Sequence, residues 1–207
     1  MLTLRDRLRS RNVGRWHTVL TNIPQNIAEH SHGMGIIAEH ILLKLMNQAE
    51  KTATMTDRFV VIKYAQVHDL PEIVTGDPSS VFKRFLRSNL SGFDGLMDEL
   101  ESHLVPELKD LELEFEARPY LSVICKAADL LEAFSYFLVA KGADEQHNKV
   151  VIGKLTDYIE ECITKGEAVA PEYDWVLLRA VKDEIESGSS TVIDFETELE
   201  AVMNNRN

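Results

Sequence analysis

The sequence predicts an all-α protein with a single domain, and three observations support this prediction. Apolar residues recur at the helical period in nearly every segment of the 207-residue chain. Alternating apolar and polar runs, which are typical of half-buried strands, are almost absent. No linker rich in proline, glycine or serine divides the chain, so we expect a single domain over 1–207. Its motif-bearing core covers about 10–165, with C-terminal helices in 166–207. The expected architecture is one bundle of about seven to nine helices.

The predicted helices follow one another with one long interruption. They cover about 3–11, 28–48, 56–69, 79–88, 93–105, 117–142, 144–165, 172–187 and 194–204. The interruption is 11–31, which contains Gly14 and Pro24 and shows no sustained period. A segment of this length without regular structure is uncommon in a compact domain and is often functional. We therefore expect it to form one wall of a binding site.

Composition limits the class of partner. The net charge is −12 and the pI is near 5.0, which argues against a protein that grips a nucleic-acid polymer, because that affinity comes from lysine and arginine. No apolar run approaches the length of a membrane span, and the N-terminus lacks the apolar core of a signal peptide. Cys125 and Cys162 lie in apolar helical contexts without close pairing, which indicates reduced thiols. These features predict a cytoplasmic protein with no membrane partner.

The stretch "HDLPEIVTGDP" collects four side chains that bind metals or transfer protons. The helix before it ends near His68 and Asp69, because Pro71 disfavours helical geometry in the residue that precedes it. Glu72 and Asp77 follow within the same short, turn-rich segment. Charged groups rarely collect in this way for the sake of packing alone, so the segment predicts a functional site.

Mixed imidazole and carboxylate groups are a ligand set for divalent transition metals. His68 and Asp69, adjacent at a helix end, can both reach one ion. His30 begins an earlier apolar helix, and Asp129 lies inside an apolar helix where an unpaired carboxylate would be costly to bury. A shared cation would offset that cost. Each residue alone also has an ordinary interpretation, as a surface pair, a helix cap or a solvent-facing acid, and the hypothesis depends on their conjunction.

The order of these motifs on an all-α chain resembles the HD-domain metal-dependent phosphohydrolases. The stretches "GRWHTVLTNIPQNIAEHSHG", "HDLPEIVTGDP" and "KAADLLEAFSYFL" are similar to bacterial 5′-deoxynucleotidases and to phage dATP triphosphohydrolases. The resemblance covers about 10–165. It implies one divalent transition-metal ion, Co, Mn, Zn, Ni or Fe, bound by His30, His68, Asp69 and Asp129. It also implies the catalytic acids Glu72 and Asp77, and the nucleotide contacts Arg15 and Trp16.

The leading expectation is a phosphohydrolase that removes the 5′-phosphate from deoxyribonucleoside monophosphates. Glu72 is the first choice for the acid or base, and Asp77 can share that role. Arg15 and Lys83 would compensate phosphoryl charge, and the flat face of Trp16 would exclude a 2′-hydroxyl. His17 and Thr18 are further candidate pocket residues.

Three alternatives remain open from the sequence. The first is a phage-type dATP or dNTP triphosphohydrolase, which would add a second, Mg-like ion for its longer substrate. The second is a catalytically inactive nucleotide-binding helical protein with a structural metal. The third, ranked last, is hydrolysis of a signalling nucleotide. In every case the partner is a small molecule, which is a deoxynucleotide for the leading expectation and for the first alternative. We also expect a homo-oligomer, a dimer or higher.

Overall fold

The structure, a computed structural model, describes residues 1–19, 21–140, 145–188, 199 and 202–204. Within these residues it contains ten α-helices and no strand. The helices are α1 Leu4–Arg7, α2 Ile27–Gln48, α3 Met55–Val67, α4 Glu72–Thr75, α5 Ser80–Asn89, α6 Phe93–Leu104, α7 Glu107–Ala117, α8 Pro119–Val139, α9 Glu145–Val169 and α10 Leu177–Ser187. A 3-10 turn, Leu8–Asn12, follows α1. The predicted all-α class is confirmed.

Three long helices form the centre of the bundle. α2 packs against both α3 and α8, and α9 packs along α8. The core residues of α8 include Leu121, Ile124, Leu131 and Phe134, each at most 1% exposed. Removing such side chains from water is the main stabilising contribution to a bundle. Because α2, α3 and α8 pack together, polar residues near their contacts lie close to one another.

Local sequence signals set where two of the site-bearing helices, α2 and α3, begin. Asn26 caps α2 by accepting a hydrogen bond from the Glu29 backbone, and the Glu29 side chain returns the contact to the Asn26 backbone. Thr54 and Asp57 form the same capping box at α3. α3 ends at Val67, and His68 is its C-terminal cap residue. The regular helix thus ends where the two candidate ligands follow, although His68 itself keeps helical dihedral angles and its backbone N–H donates to the Tyr64 carbonyl at 3.0 Å.

The helix count exceeds the expected seven to nine because two helices carry weak sequence signals. α4 has only one turn. α7 lies in the acidic stretch between the predicted helices 93–105 and 117–142. Val105 and Pro106 separate it from α6, and α7 buries Leu108 and Leu111. The predicted N-terminal helix over 3–11 is divided into α1 and the 3-10 turn. Most of the predicted helix 194–204 lies outside the described residues.

No helix in the described part of the chain is long and apolar enough to cross a membrane. The two cysteines, Cys125 and Cys162, are both buried free thiols.

Candidate active site

The four predicted metal ligands come from three helices and lie together. His30 is in the first turn of α2, His68 and Asp69 follow the end of α3, and Asp129 is near the middle of α8. His30, His68 and Asp69 each offer a ligand atom within 4.8 Å of the others. Asp129 is next to this group, with its Oδ1 atom 3.4 Å from His30 Nε2. The packing of α2 on α3 and α8 therefore brings all four residues to one point.

Two imidazole nitrogens at this point lack hydrogen-bond partners. His30 Nε2 and His68 Nε2 are buried and make no hydrogen bond, a condition that costs free energy in a folded protein. The other ring nitrogens are engaged, since His68 Nδ1 lies 3.1 Å from the Ala65 carbonyl oxygen and His30 Nδ1 lies 2.5 Å from Glu132 Oε2. Two free nitrogens facing carboxylates are the donor set that a divalent transition metal takes, so these residues fit such an ion.

Electrostatics favours a cation at the cluster. Burial opposes ionisation of Asp129, yet Lys126 and His30 hold the pKa of Asp129 well below its ordinary value. Burial likewise opposes ionisation of Asp69, but His68 and Arg15 lower its pKa. Burial alone would lower the pKa of His30, whereas the nearby carboxylates of Asp129 and Glu132 raise it to about 9. The two predicted ligand carboxylates are thus ionised at neutral pH, and their negative charge draws a proton or a metal to the imidazoles.

Two cations and one further acid border the cluster. Arg15 Nη1 donates to Asp69 Oδ2 at 2.6 Å, and Lys83 Nζ donates to Glu72 Oε1 at 2.9 Å. Glu72 is 6% exposed, and its second oxygen, Oε2, has no hydrogen-bond partner. Burial, together with repulsion from Asp69, raises the pKa of Glu72 to about 8. Glu72 is therefore a buried carboxyl group that holds a proton near neutral pH.

An open pocket of about 330 Å³ contains three of the remaining predicted residues. His17, Thr18 and Asp77 are among its lining residues, together with Phe82 of α5. Gly76, which precedes Asp77, adopts the left-handed φ of 73° that a residue without Cβ accommodates at the sharp turn after α4. The turn and the loop before α2 thus form opposite parts of one concave surface.

Trp16 has an unusual backbone and a well-defined side chain. Its φ is 62°, a left-handed value that is rare for a bulky residue and is often found at functional sites. The indole stacks on Tyr136, with centroids 5.8 Å apart and planes 11° apart, and meets Phe137 edge-on at 4.7 Å. The indole Nε1 donates to Gln25 Oε1 at 2.7 Å. The residue is partly buried, so one part of the ring anchors the loop and the rest stays accessible.

Sequence reasoning missed two residues of this region, Gln25 and Glu132. Both are 8% exposed, and Glu132 makes the short contact to His30 described above. Glu132 stands three residues after Asp129, a spacing that places both acids on one face of α8. That spacing in an apolar helix was an available signal for Glu132. Gln25 carried no comparable signal.

An all-α bundle with a histidine, a histidine–aspartate pair and an aspartate meeting where three helices pack is the hallmark of an HD-domain phosphohydrolase, and the chain is an enzyme of this class. The model of the YfbR-like 5′-deoxynucleotidase family matches residues 6–160. The chain belongs to that family.

Known proteins similar to the chain include two kinds of enzyme. The dATP triphosphohydrolase of Acinetobacter phage SH-Ab 15497 is 27% identical over 209 residues, which covers 98% of either chain. The 5′-deoxynucleotidase PM0747 of Pasteurella multocida is 31% identical over 139 residues, covering 62% of this chain and 68% of its own. Among solved structures, the Cyanophage S-2L HD phosphohydrolase bound to dA and one catalytic Zn²⁺ ion superposes with a TM-score of 0.69 and 25% identity, over 91% of this chain and 99% of its own.

Proposed function

We propose that this protein hydrolyses the 5′-phosphate ester of 2′-deoxynucleotides, with one divalent transition-metal ion held by His30, His68, Asp69 and Asp129. The observation that carries the proposal is the pair of buried, unpartnered imidazole nitrogens, His30 Nε2 and His68 Nε2, which face two ionised carboxylates. Zn²⁺ is the first candidate, because the similar cyanophage enzyme was solved with a catalytic Zn²⁺ ion. Co, Mn, Ni and Fe are the other ions for which this ligand set is suited.

The reaction adds water to phosphorus and breaks the bond between phosphorus and the 5′-oxygen, which leaves as the hydroxyl of the deoxynucleoside. A bound divalent ion would lower the pKa of a water molecule and stabilise charge on the phosphoryl oxygens. Glu72, protonated near neutral pH, donates a proton to the departing 5′-oxygen. Asp77, which lines the adjacent pocket, takes the supporting role of orienting the attacking water. Such acid and base contributions are worth about 10²- to 10⁴-fold in rate.

Arg15 and Lys83 provide the positive charge of the protein itself. Each is paired with an acid of the site, Arg15 with Asp69 and Lys83 with Glu72. Both pairs are partly or largely buried, so the remaining N–H groups act in a medium where charge is poorly screened. These groups are placed to receive phosphoryl oxygens, whose charge grows in the transition state.

Trp16 supplies selectivity for deoxyribose in this proposal. Its ring is fixed by Tyr136, Phe137 and Gln25, so it cannot swing away from a bulkier sugar. A rigid aromatic wall leaves no room for a 2′-hydroxyl and no hydrogen bond to satisfy it. His17 and Thr18, the next two residues, continue that wall into the open pocket.

The number of phosphates separates two candidate substrates, although the same bond breaks in both. We place dATP first, because the phage dATP triphosphohydrolase matches this chain over nearly its full length. The exposed Lys126, whose Nζ lies 2.7 Å from Asp129 Oδ2, offers a further cation for a longer phosphate chain. A deoxynucleoside monophosphate, which the sequence alone favours, is the second candidate, supported by the family model. With a triphosphate we expect a second, Mg-like ion on the outer phosphates.

The proposal is tested by product release from dNMPs, dNTPs and their ribose counterparts, with Zn²⁺, Co²⁺ or Mn²⁺ and products identified by chromatography. Release of deoxyadenosine and triphosphate from dATP is the expected result, and turnover of several dNMPs without dNTPs would instead favour the second candidate. Metal and nucleotide binding without turnover of any substrate would indicate the inactive nucleotide-binding protein and overturn the proposal.

Glu72→Gln is the matched variant, since it keeps the side-chain volume but cannot transfer a proton. We expect a fall in kcat of about 10²- to 10⁴-fold with metal content unchanged. A variant that turns over at the normal rate, or that loses its metal, would remove Glu72 from its assigned role.

Other expectations stay predictions. We propose one domain over the whole chain, a homo-oligomer in solution and a cytoplasmic location. Light scattering of the purified full chain measures its oligomeric state directly, and a mass equal to 23.5 kDa would contradict the expected oligomer.

A further inference from the structure

A line of hydrogen bonds joins Trp16 to the candidate ligand His30. The indole Nε1 donates to Gln25 Oε1 at 2.7 Å, and Gln25 Nε2 donates to Glu132 Oε1 at 2.7 Å. The second oxygen, Glu132 Oε2, lies 2.5 Å from His30 Nδ1. Gln25 and Glu132 are 8% exposed and His30 is fully buried. The line therefore runs from the accessible loop to the metal site through the protein interior.

The chemistry of the groups fixes the direction of every bond in this line. An indole nitrogen can only donate, so the Gln25 side chain must turn its oxygen to Trp16 and its NH₂ group to Glu132. Glu132 Oε1 then acts as an acceptor. The remaining oxygen, Oε2, accepts from His30 Nδ1, which must carry the proton. When His30 is neutral, as a metal ligand must be, its lone pair is consequently on Nε2, the atom that lies 3.6 Å from Asp69 Oδ2 and 3.4 Å from Asp129 Oδ1.

Space for Glu132 depends on the absence of a side chain at Gly33. Gly33 lies about one turn after His30 on α2, and a Cβ atom there would stand 3.0 Å from Glu132 Cγ and 3.2 Å from Glu132 Oε1. Such contacts are tighter than ordinary van der Waals distance, so an added methyl group would push the carboxylate away from His30. The close approach of α8 to α2 at this glycine permits the short hydrogen bond.

We propose that Gln25 and Glu132 are positioning residues that couple the ring of Trp16 to the metal affinity of His30. This inference rests on the proposed function, in which His30 binds the metal and Trp16 contacts the sugar. Glu132 holds the imidazole in the required tautomer and orientation, as carboxylates behind metal-bound histidines do. Gln25 holds Glu132 in place and is itself held by Trp16. A substitution that removes the N–H donor of Trp16 should therefore weaken metal binding at His30, and by reciprocity a bound metal should strengthen the hydrogen bonds that fix the Trp16 ring.

Anchoring of the loop does not require the Gln25 side chain. The backbone of Arg15 already donates to the Gln25 carbonyl at 2.9 Å, and Ile27 donates to Val13 at 3.1 Å. Tyr136 Oη adds a bond to the Ile23 carbonyl at 2.5 Å. The side-chain amide of Gln25 therefore serves to connect Trp16 to Glu132, and the loop remains anchored without it.

The test measures the affinity of the full chain for Zn²⁺ by competition with a chromophoric chelator, without nucleotide. Trp16→Phe keeps an aromatic ring on Tyr136 but removes the N–H group, and we expect about fivefold weaker Zn²⁺ binding, the value of one hydrogen bond. Gln25→Met should weaken binding to a similar degree. Glu132→Gln, which contacts His30 directly, should weaken it by about 10- to 100-fold.

Tyr136→Phe is the matched control, because it removes a hydrogen bond of the same loop that lies outside the line. Its Zn²⁺ affinity should equal that of the unchanged chain. The double variant Trp16→Phe with Gln25→Met should be no weaker than Gln25→Met alone, since both break one connected path. Equal losses in Tyr136→Phe and Trp16→Phe, or additive losses in the double variant, would overturn the coupling and assign the effect to loop packing.

The readouts separate the coupling from the proposed function. Tight Zn²⁺ binding that weakens in Trp16→Phe, without turnover of any nucleotide, would support the coupling and contradict the function. Turnover with Zn²⁺ affinity unaffected by Trp16→Phe would support the function and contradict the coupling. Absence of Zn²⁺ binding by the unchanged chain would overturn both.

Discussion

The two tryptophans of this protein are held in opposite ways. Trp175 is 1% exposed, and its indole donates to the backbone carbonyl of Ala170 at 2.9 Å. Its ring lies so close to α9 that a Cβ at Gly166 would stand 2.2 Å from it. Trp16 is partly exposed, has a left-handed backbone and donates to a side chain instead. A backbone partner ties Trp175 to the fold alone, whereas the side-chain partner of Trp16 ties it to the candidate metal site.

Removing Trp175 should give the largest loss of stability. Trp175→Ala deletes a fully buried aromatic side chain and leaves a cavity between α9 and the start of α10, which typically costs about 3–5 kcal/mol in the free energy of unfolding. Urea denaturation measures the loss, with Trp175→Phe as a milder control. A loss below about 1 kcal/mol would show that Trp175 is not the anchor that its burial suggests.

Metal binding should stabilise the folded protein through the candidate site to which Trp16 is joined. Because only the folded state assembles His30, His68 and Asp69, a Zn²⁺ concentration of about 100 times Kd should raise the free energy of unfolding by about 2.7 kcal/mol. Thermal denaturation with and without Zn²⁺ measures the gain, which should persist in Trp175→Phe and disappear in His68→Asn. The same gain in His68→Asn would place the ion elsewhere.

Trp16→Ala should change selectivity more than stability. Loss of the wall admits a ribose, so the ratio of kcat/KM for a deoxynucleotide to that for its ribonucleotide should fall about tenfold, the size of one lost discriminating contact. Stability should change by less than about 2 kcal/mol, because the indole is only partly buried and its stacking on Tyr136 contributes about 0.5–1.5 kcal/mol. An unchanged ratio of the two kcat/KM values would show that Trp16, like Trp175, has only a structural role.

The smallest effect is expected at an ion pair that joins α1 to α7. Arg7 binds Glu107 through two hydrogen bonds of 2.6 and 2.9 Å, and this contact lowers the pKa of Glu107 from 4.5 to about 2. A lowered pKa in the folded state gives stability that is present above the ordinary pKa and is lost as the pH falls towards about 2. The pair is partly exposed, so its contribution is about 0.5 kcal/mol. Urea midpoints of Arg7→Met and the unchanged chain should differ at pH 7 and converge near pH 2, and a constant difference would contradict the assignment.

The helical period and a few breaking residues were enough to predict the parts of the site that lie at helix ends. Pro71 marks the release of the chain after His68 and Asp69, and the apolar surroundings of Asp129 make a lone carboxylate conspicuous. α7 escaped prediction because its many acids conceal the two leucines that it buries. These signals are local, and a single sequence displays local signals well.

Gln25 and Glu132 could not be found in the same way. Their roles depend on contacts across 107 and 102 residues of chain, from Gln25 to Glu132 and from Glu132 to His30. A glutamine in an irregular loop carries no signal at all, and the spacing of Glu132 from Asp129 marks an acid on the same helix face without showing its partner. Only the three-dimensional arrangement reveals that their polar atoms are paired with each other.

The absence of a side chain at Gly33 limits which residue pairs can occupy positions 33 and 132 in this family. Any lineage in which position 33 acquires a side chain must shift the acid at position 132 by a few tenths of an ångström or separate α2 from α8. A glutamate at 132 should therefore be inherited together with a glycine at 33. Relatives that carry alanine or a larger residue at 33 should have replaced the glutamate with a shorter residue and oriented the histidine by other means.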